Sequence, residues 1–432
     1  MVTMRGQPEH VLVIGAGLGG LRTVEHLRSS GFQGRISLVG AEVHAPYDRP
    51  PLSKQLLTGH WEAERVALST VEALDELGVR TYLGMRAVAL RPGAVELADG
   101  ASLHGDAVVI ATGLVPRTLP GQPAHVHTLR TLDDALALRA TLERVGSLLG
   151  GSLLVVGGGF IGAEVASAAR ARGIAVTVLE ALPVPSARAL GTELGALAAR
   201  LLVEGGVDLR TAVGLTSFVD AGDRVAVALS DGSAVEADAA VVGIGGAPQL
   251  EWLGDRVDTT DGLACGPTGR VCGLDAVWAV GDVAAWEDTT TGTRHRSEHW
   301  TNAGDQAAAV ACDILGAEPP PAPVPYFWSD QFGLKIQLVG RPERADNMLP
   351  LHGDGPDGGA VRGTVAGYLA GDHLVAVAAF GAARLIARYR PLVADGADRA
   401  AVLRTAAGIR PPGAGRGTNG AGPARPRPRP PP

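Results

Sequence analysis

Apolar and polar positions alternate in two periods along most of this chain. Short runs of β-type apolar residues, VLVI at 11–14 and LLVV at 153–156, each precede a glycine-rich turn and then a stretch of helical period. In the first unit LRTVEHLRSSG predicts a helix ending at Gly31, and RISLVG predicts the next strand. In the second, AEVASAARARG predicts a helix and IAVTVLE a strand. Strands that alternate with helices in this way predict α/β architecture. The repetition predicts a duplication. Periodicity fades in AEPPPAPVPYFW at 317–328, which reads as a proline-rich linker into a last small domain. It is lost again from about Gly408, where a Pro, Arg and Gly-rich tail has almost nothing to bury and is expected to be disordered and basic.

The turns between strand and helix carry the chemistry. VLVIGAGLGG places Gly15, Gly17, Gly19 and Gly20 at the strand end, and LLVVGGGFIG places Gly157, Gly159, Phe160, Ile161 and Gly162 in the same relation. A single GxGxxG is weak evidence, but each motif here sits between strand and helix with an acidic residue twenty-odd positions on. Backbone stripped of side chains can approach a pyrophosphate, and the helix N-terminus behind it favours an anion. Two such motifs imply two dinucleotides. Glu180 closes the second unit, where it can accept hydrogen bonds from ribose hydroxyls and repel a 2′-phosphate, which favours NADH over NADPH. Glu42 is the matching residue of the first unit.

Composition narrows the class. The 432 residues are 46% apolar and 19% charged, which suits a globular chain of two or three domains. A net charge of -7 argues against nucleic acid as the main partner. No apolar run is long enough to cross a membrane, and the short apolar run near the N-terminus is better explained by the first glycine motif than as a signal peptide. Cys265, Cys272 and Cys312 have no metal-ligand or CxxC spacing, so no metal is expected and a reducing, cytoplasmic setting is. His295 and His299 read as surface or packing residues.

One stretch is locally inconsistent. PYDRPPLSK at 46–54 predicts a helix start continuing through Gln55, Leu56 and Leu57, with proline in the first turn, where its missing N–H is harmless. Arg49 and Lys54 are cations at an end that favours anions, so an anionic neighbour is expected. Aromatics are also unevenly spread. They form 4% of the chain, yet Trp278, Trp286, Trp300, Tyr326, Phe327, Trp328 and Phe332 crowd together, and Trp300 and Trp328 are candidates for a cofactor wall.

The motifs together resemble the FAD-dependent, NADH-using ferredoxin reductases that supply oxygenases, the group of the putidaredoxin and rubredoxin reductases. The resemblance spans roughly residues 9–400 and rests on the glycine motifs, PYDRPPLSK, ATGLVPR at 111–117, LRTLDDA at 129–135, VWAVGDVA at 277–284, EHWTNAGDQA at 298–307 and FWSDQ at 327–331. It implies a glutathione-reductase-like architecture of two Rossmann-like dinucleotide-binding domains and a small C-terminal α+β domain. The expected boundaries are about 1–120 and 245–325 for the FAD domain, 121–244 for the NADH domain, 326–405 for the last domain and 406–432 for the tail.

The resemblance also implies roles. Arg49 would face the FAD diphosphate, and Lys54 the isoalloxazine, paired with Glu164 as the catalytic couple. Val88, Ala111, Thr112, Gly113, Arg130, Asp282 and Trp300 would line the FAD site, with Gly245 among the further cofactor contacts. Many relatives have an acid where this chain has Ala41, so the ribose contact falls to Glu42 or to backbone. The implied activity is NADH oxidation with single-electron reduction of a 2Fe-2S ferredoxin, which would serve a thiolate-haem monooxygenase or a Rieske dioxygenase, the enzyme being a monomer or homodimer. Residues 41–54 hold no cysteine, so no thiol there can receive electrons. This disfavours a flavin NADH oxidase or peroxidase; a non-enzymatic NADH sensor resembling apoptosis-inducing factor is the other alternative. Arg294 and Arg296, close in sequence to Trp300, form a candidate docking patch for an acidic ferredoxin.

Overall fold

A computed structural model describes residues 7–409 except 256, 290 and 322. The tail proposed from the sequence lies outside the described residues beyond Ile409. Two parallel sheets form the body. The first runs in the order Val277–Ala279, Ala107–Ile110, His10–Ile14, Arg35–Gly40 and Val79–Leu83. The second runs Asp208–Thr211, Ala175–Glu180, Ser152–Val156 and Ala239–Val242.

The central strands explain why both sheets form. Val11 and Val13 enter one apolar core while Leu12 and Ile14 enter another on the opposite face. Leu153 and Val155 are divided from Leu154 and Val156 in the same way. A strand buried on both faces needs an unbroken apolar run, as VLVI and LLVV provide. Each unit also inserts an antiparallel three-stranded meander before a parallel strand, Ala107–Ile110 in the first and Ala239–Val242 in the second. The meander strands are Ala87–Arg91, Ala94–Leu97 and Ser102–His104 in the first, and Leu215–Ala221, Arg224–Leu229 and Ala234–Ala237 in the second. The duplication read from the sequence therefore extends well past the glycine motifs.

The chain crosses between the two sheets twice, and Val115–Pro116 pairs antiparallel with Gly246–Ala247 at the crossing. A third sheet, wholly antiparallel, runs Tyr326–Gln331, Leu334–Gly340, His373–Phe380, Val365–Ala370 and Asn347–His352, with the helices Ala383–Ala394 and Arg399–Ala407 following it.

The helix expected at 50–57 is not formed. Pro50–Ser53 is a single 3-10 turn, Lys54 leaves it with φ -124 and ψ -95, and irregular turns follow. Successive prolines fix the first turn but cannot donate backbone hydrogen bonds, and Leu52, Leu56 and Leu57 are drawn into two different cores. The argument from a helix dipole on Arg49 and Lys54 therefore falls. What remains is how this wedge aims their side chains.

Candidate functional site

The two glycine turns have matching geometry. Gly15 has φ +117 and Gly157 φ +106, and at each a Cβ would overlap a carbonyl of the adjacent strand end, that of Ala111 or of Gly243. Gly20 and Gly162 lie against the carbonyl oxygens of Gly15 and Gly157 respectively. The N–H of Gly15 donates to the Val39 carbonyl at 2.7 Å, and that of Gly157 to the Leu179 carbonyl at 2.8 Å. Gly17 and Gly159, each capping the helix behind, face open space. Each turn is thus a cradle of bare backbone at a helix N-terminus, a setting that favours an anion.

The walls differ. Gly19 of the first cradle lies against Val280, Ala111 and Ala303, so the strand-end segment and the helix Trp300–Leu315 close over it. Glu42 accepts from the Tyr47 hydroxyl at 2.5 Å and from Arg49 at 2.8 Å, which engages both oxygens with the 46–54 segment. Arg49 also donates to the Arg130 carbonyl at 2.5 Å, and burial pushes the Tyr47 phenol far above its usual range. In the second cradle Glu180 lies on the turn itself, accepting from the N–H of Gly158 and of Leu182, each at 2.8 Å. Ile161 is exposed, and Gly245 has φ +96 at the crossing strand with open space around it.

Arg130, Gly113 and Asp282 come together. The Arg130 guanidinium pairs with Asp282 at 2.9 Å and approaches Gly113, while its buried Nε has no partner. Asp282 sits in the turn Gly281–Val283 directly after the strand Val277–Ala279, and the Gly281 N–H donates to Gln306. Thr112 is exposed beside this cluster. Val88 stands apart on the meander strand, 44% exposed, three residues beyond Met85, whose N–H donates to the Gly40 carbonyl.

Lys54 meets Glu164 as the resemblance implied. Their side chains are 11% and 2% exposed, and Nζ lies 2.7 Å from the carboxylate. Nζ also donates to the Pro50 carbonyl at 3.1 Å, so the 3-10 turn holds the ammonium on its partner. A buried ammonium stays charged only with such partners. Trp300 and Trp328 meet edge to face at 6.1 Å, and Tyr326 stacks on Trp328 at 5.8 Å. The Trp300 indole N–H donates to Asp48 at 2.7 Å; burial raises the Asp48 carboxyl, while that bond and the charges of Arg22 and Lys54 lower it. Phe160 packs on Phe327, and Phe327 on His299, whose imidazole is lowered by burial.

Sequence reasoning missed Asp48, Ser53, Ser329 and Gln331. The last two lie inside the FWSDQ motif, which was the available signal. It also misjudged the patch at Arg294 and Arg296. These residues lie on a strand, Arg294–Arg296. Arg296 is 14% exposed and pairs with Glu298 at 2.8 Å and Asp261 at 3.4 Å, and Arg294 pairs with Glu287. Their charge is neutralised at short range, so no free basic rim forms there. His295 contacts Arg341, and Arg344 contacts Asp288, so this segment is fastened to the third sheet.

Comparison with known proteins fits this geometry. Residues 9–307 match the pyridine nucleotide-disulphide oxidoreductase family and residues 326–407 match the reductase C-terminal domain. The chain belongs to the pyridine nucleotide-disulphide oxidoreductase family. It is 40% identical over 352 residues to the ferredoxin–NAD(+) reductase component of the p-cumate 2,3-dioxygenase system of Pseudomonas putida, covering 80% of this chain and 84% of that one. It is 36% identical over 346 residues to rhodocoxin reductase of Rhodococcus erythropolis, covering 78% and 80%. The covalent putidaredoxin reductase–putidaredoxin complex has a chain that matches with a TM-score of 0.84 at 29% identity, over 93% of this chain and 98% of that one.

Proposed function

We propose that this protein is an FAD-dependent NADH:ferredoxin oxidoreductase. The overall change would be NADH plus two oxidised 2Fe-2S ferredoxins giving NAD+, two reduced ferredoxins and a proton, which balances two electrons against two single-electron carriers. The ferredoxin would supply a thiolate-haem monooxygenase or a Rieske dioxygenase, as the systems of the relatives suggest. The first lobe, about 1–120 and 245–325, would hold FAD; the second, about 121–244, would take NADH; and residues 326–405 would cover the flavin.

The residues fit both groups. Gly15, Gly17, Gly19 and Gly20 would carry the FAD diphosphate, with Arg49, Ala111, Thr112 and Gly113 beside it; Glu42 would meet the ribose and Asp282 with Arg130 the ribitol, while Val88, standing apart, would touch at most the far rim of the FAD site. Gly157, Gly159, Phe160, Ile161, Gly162 and Gly245 would take the NADH diphosphate and its surroundings, and Glu180 the ribose hydroxyls. Bound flavin supplies hydride acceptance and release of electrons one at a time. The chain's part is positional. Lys54 would present its ammonium to the flavin with Glu164 as its counter-ion, and Trp300 and Trp328 would exclude water from that side.

The observation that carries the reading is the buried Lys54–Glu164 pair, which joins the 46–54 segment beside the first cradle to the helix Phe160–Ala171 that begins at the second, in a chain whose cysteines lie elsewhere. Cys265 is buried and its thiol is pushed up to about 12, and Cys272 and Cys312 are likewise free. A free thiol is already reduced, so none of them offers the flavin a disulfide to reduce. The test is turnover: purified protein with NADH, a candidate 2Fe-2S ferredoxin and cytochrome c as final acceptor. Rapid ferredoxin-dependent cytochrome c reduction is expected. A long-lived reduced flavin that leaves ferredoxin oxidised would instead favour the sensor reading, and peroxide formation the oxidase.

A further inference from the structure

Glu164 is a meeting point for all three lobes, and the third lobe's contribution has a defined direction. One carboxylate oxygen, Oε2, takes Lys54 Nζ at 2.7 Å and the Ser53 hydroxyl, both from the 46–54 wedge. The other, Oε1, takes the hydroxyl of Ser329 at 2.5 Å, from the strand Tyr326–Gln331 of the third sheet. Ser53, Ser329 and Gln331 are 2%, 0% and 1% exposed, so water does not compete.

The proton positions follow from valence. A carboxylate only accepts, so Ser329 must donate its one proton to Glu164. Its oxygen is then left to accept, and Gln331 Nε2 lies 3.0 Å away to donate. The chain of donation Gln331 to Ser329 to Glu164 runs one way only. The Phe332 N–H donates to Ser167 on the helix that carries Glu164, at 2.8 Å, which fixes the same strand a second time. Successive strand residues face opposite sides, so Trp328 meets Trp300 while Ser329 meets Glu164.

We propose that Ser329 is a positioning residue: through Glu164 it sets how Lys54 presents its charge, so the electronic setting of the first cradle depends on the third lobe being seated. Without Ser329 one anionic oxygen is left buried and unpartnered. The carboxylate then has reason to rotate away from its present geometry, and the ammonium moves with it. This rests on the reading of Lys54 and Glu164 given above.

The test compares holoenzyme variants by FAD content, thermal midpoint, midpoint potential of the bound FAD and single-turnover reduction by NADH. Ser329→Ala is expected to keep FAD, to shift the potential in the same direction as Glu164→Gln, and to slow reduction by about tenfold, the scale of one hydrogen bond to a charged group. In the Glu164→Gln background the same change should add less than about twofold, because the anionic charge that Ser329 holds in place is gone. Ser329→Thr, which keeps the hydroxyl, should restore both readings. Ser167→Ala, which removes only the second tie, should lower the thermal midpoint and leave the potential in place. A Ser329→Ala potential equal to wild type, or effects that simply add in the double variant, would overturn the role of Ser329. Wild-type potential and rate in Glu164→Gln itself would overturn the reading of the pair and this inference with it.

Discussion

The two glycine cradles share their backbone yet treat their acids differently. At the first, Glu42 is bound by Tyr47 and Arg49, and the helix Trp300–Leu315 closes over Gly19. At the second, Glu180 lies on the turn and Ile161 stands in the open. One duplicated device has thus been walled in once and left accessible once. The proposed roles, a resident cofactor at the first and an exchanging one at the second, would call for that difference. The walls come from segments outside the duplication, the 46–54 wedge and the helix beginning at Trp300.

Damage to the two turns should separate most sharply. Gly15→Val and Gly157→Val each force a side chain into a carbonyl at positive φ. The first should yield protein without flavin, read from its absorbance after purification. The second should keep its flavin but lose NADH affinity by about 100-fold or more, on the scale of several kcal/mol of strain. Flavin loss from both would remove the distinction between resident and exchanging sites.

Next in size is Lys54→Met. It should retain FAD and slow flavin reduction by NADH by about 100-fold, as for loss of a donor aimed at developing charge. Stopped-flow traces identical to wild type would return Lys54 to an ordinary buried pair.

Glu180 gives a smaller effect at the open cradle. NADH should be preferred over NADPH by at least about tenfold in kcat/KM, about 1.4 kcal/mol, and Glu180→Ala should narrow that ratio. Glu180 also holds the Gly158 N–H, so the variant should lose some NADH affinity as well.

The smallest effect concerns docking. With Arg294 and Arg296 neutralised by their neighbours, the exposed arginines of the third lobe include Arg384, Arg388 and Arg390, which cluster on the helix Ala383–Ala394, a helix with no acidic residue. Burial raises the Asp305 carboxyl on the helix Trp300–Leu315, and the charge of Arg390 draws it down. Changing the three arginines to glutamate should raise KM for ferredoxin several-fold at low salt and flatten its salt dependence. Ferricyanide reduction should stay near wild type. Arg294→Glu with Arg296→Glu should do less to docking and more to stability, because each would meet an acidic neighbour.

Much of this was legible in the sequence because it is local. A strand, a glycine turn and a helix are adjacent in the chain, so VLVIGAGLGG and LLVVGGGFIG carry their own geometry. The errors came where distant segments decide. Leu52, Leu56 and Leu57 are pulled into separate cores, so PPLSKQLL forms a wedge and no helix. The partners of Arg296 include Asp261, far away in sequence, and proximity to Trp300 said nothing of them. Ser329 lies far along the chain from Glu164, and only the packing of the third sheet brings a hydroxyl to that carboxylate.

The most direct test of the central claim is an anaerobic titration of ferredoxin by NADH with a catalytic amount of this protein. Each NADH consumed should reduce two 2Fe-2S ferredoxins, with the flavin returning to its oxidised spectrum after every cycle. Consumption of NADH without reduced ferredoxin, or flavin that stays reduced in the presence of oxidised ferredoxin, would contradict the account.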